Sequence, residues 1–136
     1  MKVTVEVIRF RVLSITAASI SCLLFLTLLL VPQLIFMLFE IEATASASFL
    51  ARRAAMLFLG YAVITYVSRN AEHSSARQAI SLGLAATWVS LAVLGVFELV
   101  RGVAGFGILL AIGAELLLAF AYGSIWFVNR HKHAEI

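Results

Sequence analysis

One acidic residue stands inside a long apolar stretch in the C-terminal third of the sequence. Residues 102–128 carry no charged side chain other than Glu115. As a helix with a rise of about 1.5 Å per residue, this stretch exceeds the roughly 30 Å hydrocarbon thickness of a bilayer. A carboxylate at mid-membrane depth costs about 2.5 kcal/mol or more unless it is protonated, paired or turned towards protein or water. Glu115 is therefore the first candidate site residue.

Two interpretations of Glu115 stay open from the sequence. In the functional interpretation, its carboxyl is a proton site, a cation site or the polar contact for a substrate head group. In the structural interpretation, it is a protonated or hydrogen-bonded carboxyl that joins helices. The hydroxyl groups available to it in the other apolar runs belong to Ser21, Tyr61, Thr87 and Ser90. A proton relay needs successive titratable groups, and the apolar runs hold no second acid.

A second candidate is a group of charges at one predicted membrane boundary. Glu98 and Arg101 are one helical turn apart, and an Arg pair in the second apolar run lies near two acids of the first loop. This group fits an anionic head-group or partner-docking site, and it equally fits ordinary charge balancing at an interface. The candidate contact residues are Arg52, Arg53, Glu98 and Arg101, with Glu40 and Glu42 beside them.

The sequence lacks the residues that haem, metal or catalytic sites need. All three histidines (His73, His131 and His133) lie in hydrophilic segments, so the apolar runs offer no haem ligand. The pair His131 and His133 alone provides too few ligands for a metal site. The only cysteine, Cys22, lies in the first apolar run. There is no phosphate-binding glycine loop and no nucleophile–base pair. The sequence therefore predicts no cofactor and no metal, and it argues against an enzyme.

The composition indicates an integral membrane protein with a single domain, residues 1–136. Hydrophobic residues make up 63% of the chain, charged residues make up 12%, and the mean hydropathy is +1.08. These values lie outside the range of soluble globular domains. The net charge of +3 arises from basic residues at the ends of apolar runs rather than from a patch, which excludes a nucleic-acid partner.

Four apolar runs must position the candidate residues, and we expect the other three to shield Glu115 in the fourth. We predict membrane spans at 12–31, with an apolar extension past Pro32 to residue 39, and at 49–67, 78–97 and 102–128. The first run is longer than the 7–15 residues of a signal-peptide core, so we expect it to be retained as a span. Because the connections are short, neighbouring spans must be antiparallel. The predicted fold is an all-α, up-down-up-down four-helix bundle in the membrane.

The distribution of Lys and Arg predicts the orientation. Seven lie on the side of the two termini and the second loop, and three lie on the opposite side. By the positive-inside rule both termini face the cytoplasm, in a cell membrane that we take to be the bacterial inner membrane. Small residues form seams on three of the spans, and we expect those seams to be contacts within the chain. The seams comprise Ser14, Ala17, Ala18 and Ser21, then Ala79, Gly83, Thr87 and Ser90, and finally Gly102, Ala104, Gly105, Gly113, Ala119 and Gly123.

Residues 51–83 resemble a pattern found in small bacterial four-helix membrane proteins of unknown function. In that pattern an Arg-led second span with an internal Gly ends in an Arg-containing loop, and another Arg opens the third span. The matching positions here are Arg52, Arg53, Gly60, Arg69, Arg77 and Gly83. The resemblance implies a bacterial four-helix protein and transfers no activity. The small multidrug exporters also have four helices, but their membrane Glu lies in the first span, where this chain has no acid.

These observations predict an accessory or structural subunit that associates with itself or with a larger membrane complex. The alternative is a proton-coupled carrier, or a module that binds lipid or an apolar small molecule, with Glu115 as its functional group. Membrane lipids are partners in either case.

Overall fold

The computed structural model describes the backbone of residues 2–132 and the side chains of residues 7–128. Within that range the chain forms helices and no strands. The five helices are α1 (Lys2–Leu30), α2 (Pro32–Leu38), α3 (Ala45–Ser68), α4 (Ser75–Val100) and α5 (Ile108–Lys132).

Four of these helices contain segments long and apolar enough to cross a membrane. The segments are Val7–Leu30, Ala45–Ser68, Ser75–Val100 and Ile108–Val128. Each is at least 21 residues long, or about 31 Å at the α-helical rise. The all-α four-helix bundle predicted from the sequence is thereby confirmed, and the chain fits a small multi-pass membrane protein.

The first apolar run is divided into two helices at Val31. Proline disfavours helical geometry in the residue before it, and Val31 has the non-helical angles φ −139° and ψ 62°. Pro32 then occupies the start of α2, where its missing N–H is no loss. The extension to residue 39 is therefore a separate short helix whose buried residues are Pro32 and Phe36.

Hydroxyl caps fix the starts of the next two spans. Thr44 Oγ1 accepts a hydrogen bond from Ala47 N at 3.1 Å, and Ser74 Oγ accepts one from Arg77 N at 3.2 Å. Such caps pair backbone N–H groups that the helix leaves unbonded. With its cap at Thr44, α3 begins four residues before the predicted span, so Arg52 and Arg53 lie about two turns inside the helix rather than one.

The last span begins later than the apolar run that contains it. Residues 101–107 form turns and bends, and α5 starts at Ile108 rather than at Gly102. Gly102 has φ +70°, a left-handed conformation that commonly ends a helix and that favours glycine. The segment is apolar enough to resemble membrane helix, but its three glycines make it a loop.

The spans pack as two antiparallel hairpins. α1 packs along α3, α4 packs along α5, and α1 also contacts α5. At one end of the bundle, Arg77 lies over the ring of Phe10, with 4.2 Å from its guanidinium carbon to the ring centroid. At the opposite end, Gly105 N donates a hydrogen bond to Phe39 O at 2.7 Å. We call these the 69–74 end and the 39–44 end, after their loops. The two contacts show that α1 and α4 run in the same direction.

Two glycines allow the loops at the 39–44 end to come together. A Cβ atom at Gly105 would overlap the carboxyl group of Glu40, and one at Gly107 would overlap the carbonyl oxygen of Leu38. Glu40 itself has φ 55°, an uncommon angle for a residue with a side chain. The two hairpins are thus joined by a close backbone contact at this end.

The central core lies where α1, α4 and α5 meet. Its buried hydrophobic residues are Phe10, Ala17, Leu84, Ala85, Trp88, Leu118, Ala119 and Tyr122. The small-residue seam of α1 faces this core: Ser14, Ala17, Ala18 and Ser21 are all buried, as the sequence predicts.

The seam on α4 points the other way. Ala79, Gly83 and Ser90 are exposed, Ala86 continues their stripe, and a Cβ atom at Gly83 would meet nothing within 4 Å. Gly113 on α5 is likewise exposed, with open space around it. The expectation that these positions make contacts within the chain is therefore wrong. The α4 helix packs instead through the face that contains Arg77, Ser81, Leu84 and Trp88.

Candidate functional site

Glu115 lies on the face of α5 that packs towards α4. Ile108, Ile112 and Leu118 occupy the same helical face, because they are separated from it by seven, three and three residues. Those three side chains are buried, whereas Glu115 is half-exposed. The carboxyl group therefore interrupts an otherwise apolar packing surface.

The side chain opens into an apolar cleft of about 240 Å³. The cleft lies between α4, α5 and the segment after α2. It is lined by Phe39, Ile41, Leu91, Leu94, Gly95, Glu98, Val103, Ala104, Ile108, Ala111 and Glu115. Among these lining residues, the two glutamates are the only ones with charged side chains.

The floor of the cleft is formed by a close approach of α4 and α5. A Cβ atom at Gly95 would lie 2.8 Å from Ile112 Cγ1, so only glycine fits without displacing that side chain. Ala92, Ala104, Ile108 and Ile112 form a small buried cluster there. Small residues that let helix backbones approach closely are the usual packing solution in membranes.

Glu115 forms no hydrogen bond or ion pair with any side chain in the described range 7–128. The hydroxyls proposed as its partners bond elsewhere or lie elsewhere. Thr87 donates to Gly83 O at 2.9 Å, Ser90 donates to Ala86 O at 2.8 Å, and Ser21 is buried on α1. The structural interpretation, in which such a bond holds helices together, has no support in this geometry.

The surroundings of Glu115 also differ from the expected enclosure by all three other spans. Its cleft is formed by α4, α5 and residues 39–41, and neither α1 nor α3 lines it. The physical reason is the hairpin arrangement, since α5 packs chiefly against α4 and meets α1 nearer the 69–74 end.

Of the four predicted contact residues at the charged membrane boundary, only Glu98 and Arg101 come together. Arg101 Nη1 lies 3.2 Å from Glu98 Oε1, and Glu98 lines the mouth of the cleft. Exposed pairs of this kind contribute about 0–1 kcal/mol, so this one orients side chains more than it stabilises the fold. Arg52 and Arg53 are exposed on α3, which does not line the cleft. Arg53 lies 5.9 Å from the ring centroid of Phe49.

Sequence reasoning missed a buried arginine at the 69–74 end. Arg77 is 1% exposed, lies over Phe10, and donates from Nη1 to Ala71 O at 3.4 Å. From the sequence alone, Arg77 counts as one of the seven basic residues at the membrane boundary on the side of the termini. The signal that could have revealed it is its place in a helical face with Ser81, Leu84 and Trp88, one turn after the Ser74 cap.

No protein-family model, curated protein or solved structure matches this chain. The functional argument therefore depends on the geometry of the cleft and on the chemistry of Glu115.

Proposed function

We propose that this protein is a membrane binding module whose α4–α5 cleft takes a small amphiphile with a cationic or hydrogen-bond-donating group. Glu115 provides the polar contact, and the cleft walls hold the apolar part of the ligand. The observation that carries the proposal is the unpaired Glu115 carboxyl in a cleft whose only other charged lining residue, Glu98, is paired with Arg101. Apolar clefts with a few placed polar groups are the usual form of small-molecule sites.

The size of the cleft supports a small ligand or one alkyl chain. Its volume of about 240 Å³ is somewhat below the roughly 300–1,000 Å³ of typical sites for drug-sized ligands. Its walls come from α4, α5 and the 39–41 segment, so a ligand can enter near the 39–44 end beside the Glu98–Arg101 pair.

The charge of Glu115 supports selectivity for a cation or a proton. A carboxylate in apolar surroundings is stabilised by a bound cation or by protonation. A carrier that exchanges a protonated amine for a proton would use the same group, so proton coupling is a natural extension of this site.

A binding titration tests the site directly. Purified protein in lipid nanodiscs is titrated with a spin-labelled alkylamine, and the bound fraction is followed by electron paramagnetic resonance. We expect Glu115→Gln to weaken binding at least tenfold, because it removes the counter-charge and keeps the shape. Ala111→Phe, which fills the cleft, should weaken binding as strongly.

Glu98→Gln is the matched control for that titration. Glu98 is paired with Arg101 at the mouth of the cleft, so its neutralisation should change the dissociation constant less than threefold. Equal binding by the wild type and by both the Glu115→Gln and Ala111→Phe variants would contradict the proposed function.

The alternative role, an accessory subunit, is supported by the outward small-residue stripe of α4. Ala79, Gly83, Ala86 and Ser90 lie on one exposed face, and such faces promote close helix association in membranes. Arg52 and Arg53 are exposed about two turns inside α3, where an acidic partner would stabilise them.

Substitutions at open glycines test this second role. Gly83→Leu should abolish a complex isolated by gentle extraction from the native membrane, because the stripe could no longer approach another helix. Gly113→Leu on α5 is the control, since a Cβ atom meets nothing within 4 Å at either position. A complex unaffected by Gly83→Leu, or a protein that is always isolated alone, would count against a subunit role.

We further propose the bacterial inner membrane as the location, with both termini in the cytoplasm. The excess of Lys and Arg on the side of the termini supports this orientation, and the resemblance of residues 51–83 supports a bacterial origin. An alkaline phosphatase fusion after Glu42 should be active and a fusion after residue 132 inactive. The reverse pattern would contradict the orientation.

A further inference from the structure

Three outward hydroxyl groups bond to the carbonyl oxygens of their own helices, and three buried serines do not. Ser19, Thr27 and Ser90 each donate to the carbonyl oxygen four residues earlier, at 2.8–3.0 Å. This is the ordinary arrangement for serine and threonine in a helix. Burial alone does not prevent it, because the buried Thr65 also donates to the carbonyl of Tyr61.

Ser14, Ser21 and Ser81 are fully buried, and their hydroxyls have no hydrogen-bond partner among the described residues. The indole N–H of Trp88 and the hydroxyl of Tyr122 are in the same condition. All five groups belong to α1, α4 and α5, the helices that form the central core. The three inward serines are thus turned away from their own backbones and towards the space between those helices.

These five groups form two layers. Ser14 lies four residues after Phe10, and Ser81 lies four residues after Arg77, so the Phe10–Arg77 contact places both serines at one depth. The Tyr122 hydroxyl lies near the Ser14 hydroxyl across the α1–α5 interface. Ser14, Ser81 and Tyr122 make up the first layer.

The second layer lies seven residues deeper, or about 10 Å along the helices. Ser21 follows Ser14 by seven residues, and Trp88 follows Ser81 by seven, so each pair lies on one helical face. α5 runs in the opposite direction, and seven residues back from Tyr122 is Glu115. Glu115 is therefore at the depth of the second layer.

The deep layer and the cleft adjoin at α4. Leu91, one turn after Trp88, packs against the central core and also lines the cleft that contains Glu115. At the other end, the first layer lies one turn below the buried Arg77, next to the 69–74 loop. Within the described residues, the charged or titratable side chains next to this path are Arg77, Tyr122, Glu115, Glu98 at the cleft mouth, and Tyr61, which packs against the core from α3.

We propose that the two layers bind a short file of water molecules that carries protons between the 69–74 end and Glu115. Each water accepts a proton from one neighbour and passes a proton to the next, while the serine and tyrosine hydroxyls both accept and donate. The net change is the protonation of the Glu115 carboxylate by a hydronium ion, which becomes water. This route extends the proposed function, since it supplies the proton of the Glu115 site from the end opposite the cleft mouth.

Hydroxyl-radical footprinting tests for the bound water. Water trapped beside a side chain is the source of radicals that oxidise it, so buried Tyr122 and Trp88 should be labelled at least tenfold faster than Phe36 after correction for intrinsic reactivity. Phe36 is the reference because it is buried in an apolar cluster away from the layers. Labelling no faster than that of Phe36 would overturn the proposal.

Paired serine variants test the route. The double variant Ser14→Ala/Ser81→Ala should lower labelling of Tyr122 at least threefold. It should also slow deuterium exchange of the Glu115 carboxyl at least fivefold, measured at acid pH from the infrared band that Glu115→Gln removes. Ser19→Ala/Ser90→Ala, which changes two outward hydroxyls bonded to their own helices, should alter neither.

The outcomes separate this inference from the proposed function. Unchanged exchange in Ser14→Ala/Ser81→Ala would show that Glu115 obtains its protons through the cleft, and the route would be wrong. Suppose instead that Glu115→Gln leaves alkylamine binding unchanged while Ser14→Ala/Ser81→Ala slows deuterium exchange of the Glu115 carboxyl. The proton route would then be supported, and the proposed binding function would be wrong. The thermal unfolding midpoint of each variant checks that the bundle is intact.

Discussion

Glu115 differs from Glu98 and Glu40 because it combines apolar surroundings with the lack of a partner in the described range. Glu98 has Arg101, and Glu40 lies in the loop contact at the 39–44 end. An unpaired carboxylate in such a place opposes folding, because its hydration is reduced without a compensating bond. Proteins commonly retain such destabilising groups at functional sites.

We expect Glu115→Leu to raise the free energy of unfolding in detergent by about 1 kcal/mol, since it replaces a poorly solvated carboxyl with an apolar side chain. Glu98→Gln should change it by less than about 1 kcal/mol, as is usual for an exposed pair. Thermal unfolding followed by circular dichroism measures both. Destabilisation by Glu115→Leu would instead indicate a structural hydrogen bond.

Two arginines that lie over aromatic rings provide a test of burial at the residue scale. Arg77 is buried over Phe10, whereas Arg69 is half-exposed over Tyr66 at 3.9 Å. Desolvated cation–π contacts are worth about 2 kcal/mol and exposed ones about 0.5–1 kcal/mol. We expect Arg77→Met to cost at least about 2 kcal/mol of unfolding free energy and Arg69→Met to cost less than half of that. Equal losses in denaturant unfolding would contradict the burial of Arg77.

At the scale of elements, the sequence predicted correctly which apolar runs form helices, but it predicted the first residue of each helix less accurately. Length and hydropathy determine the four spans, and Pro32 marks the break between α1 and α2. The prediction that the last span starts at residue 102 is wrong, because α5 starts at Ile108. Residues 102–107 are apolar, and hydropathy does not distinguish an apolar loop from a membrane helix. The three glycines permit a loop, but its conformation also depends on its contact with residues 38–40, which hydropathy does not reveal.

The outward face of α4 was missed for a related reason. Small residues lie on both sides of this helix, and composition does not say which side faces the core. The buried face is selected by Trp88 and Leu84, which fill the space between α1 and α5. The same ambiguity concealed Ser81, which lies on the buried face of α4. The burial of Ser14 and Ser21 was predicted, but their lack of hydrogen-bond partners in the described range was not.

The loop contact at the 39–44 end gives a prediction for two glycines. Gly107→Ala should cost about 1–3 kcal/mol of unfolding free energy, because its Cβ atom would overlap the backbone oxygen of Leu38. Gly113→Ala, in the second turn of α5 with open space around it, should instead stabilise the protein by about 0.5–1 kcal/mol. Thermal unfolding distinguishes the two, and tolerance of Gly107→Ala would show that the loops are not in close contact.

At the scale of the whole molecule, two hairpins meet along a layer that contains the unpaired polar groups. Each hairpin packs closely on itself, and the two hairpins meet through α1 and α5, the Arg77–Phe10 contact, and the loop contact at the 39–44 end. The cleft lies within the α4–α5 hairpin near the 39–44 end, and the polar layers lie between the hairpins towards the 69–74 end. Glu115 is at the boundary of these two regions, so the architecture gives one carboxyl access to both.

The central claim is that Glu115 recognises a positive charge inside the cleft. The most direct measurement is the ratio of affinities for an alkylamine and for the alcohol of the same chain length, compared between the wild type and Glu115→Gln in nanodiscs. We predict that the wild type prefers the amine at least tenfold and that the preference falls to near one in the variant. An equal preference in both proteins would contradict the account, because the carboxyl would then have no part in recognition.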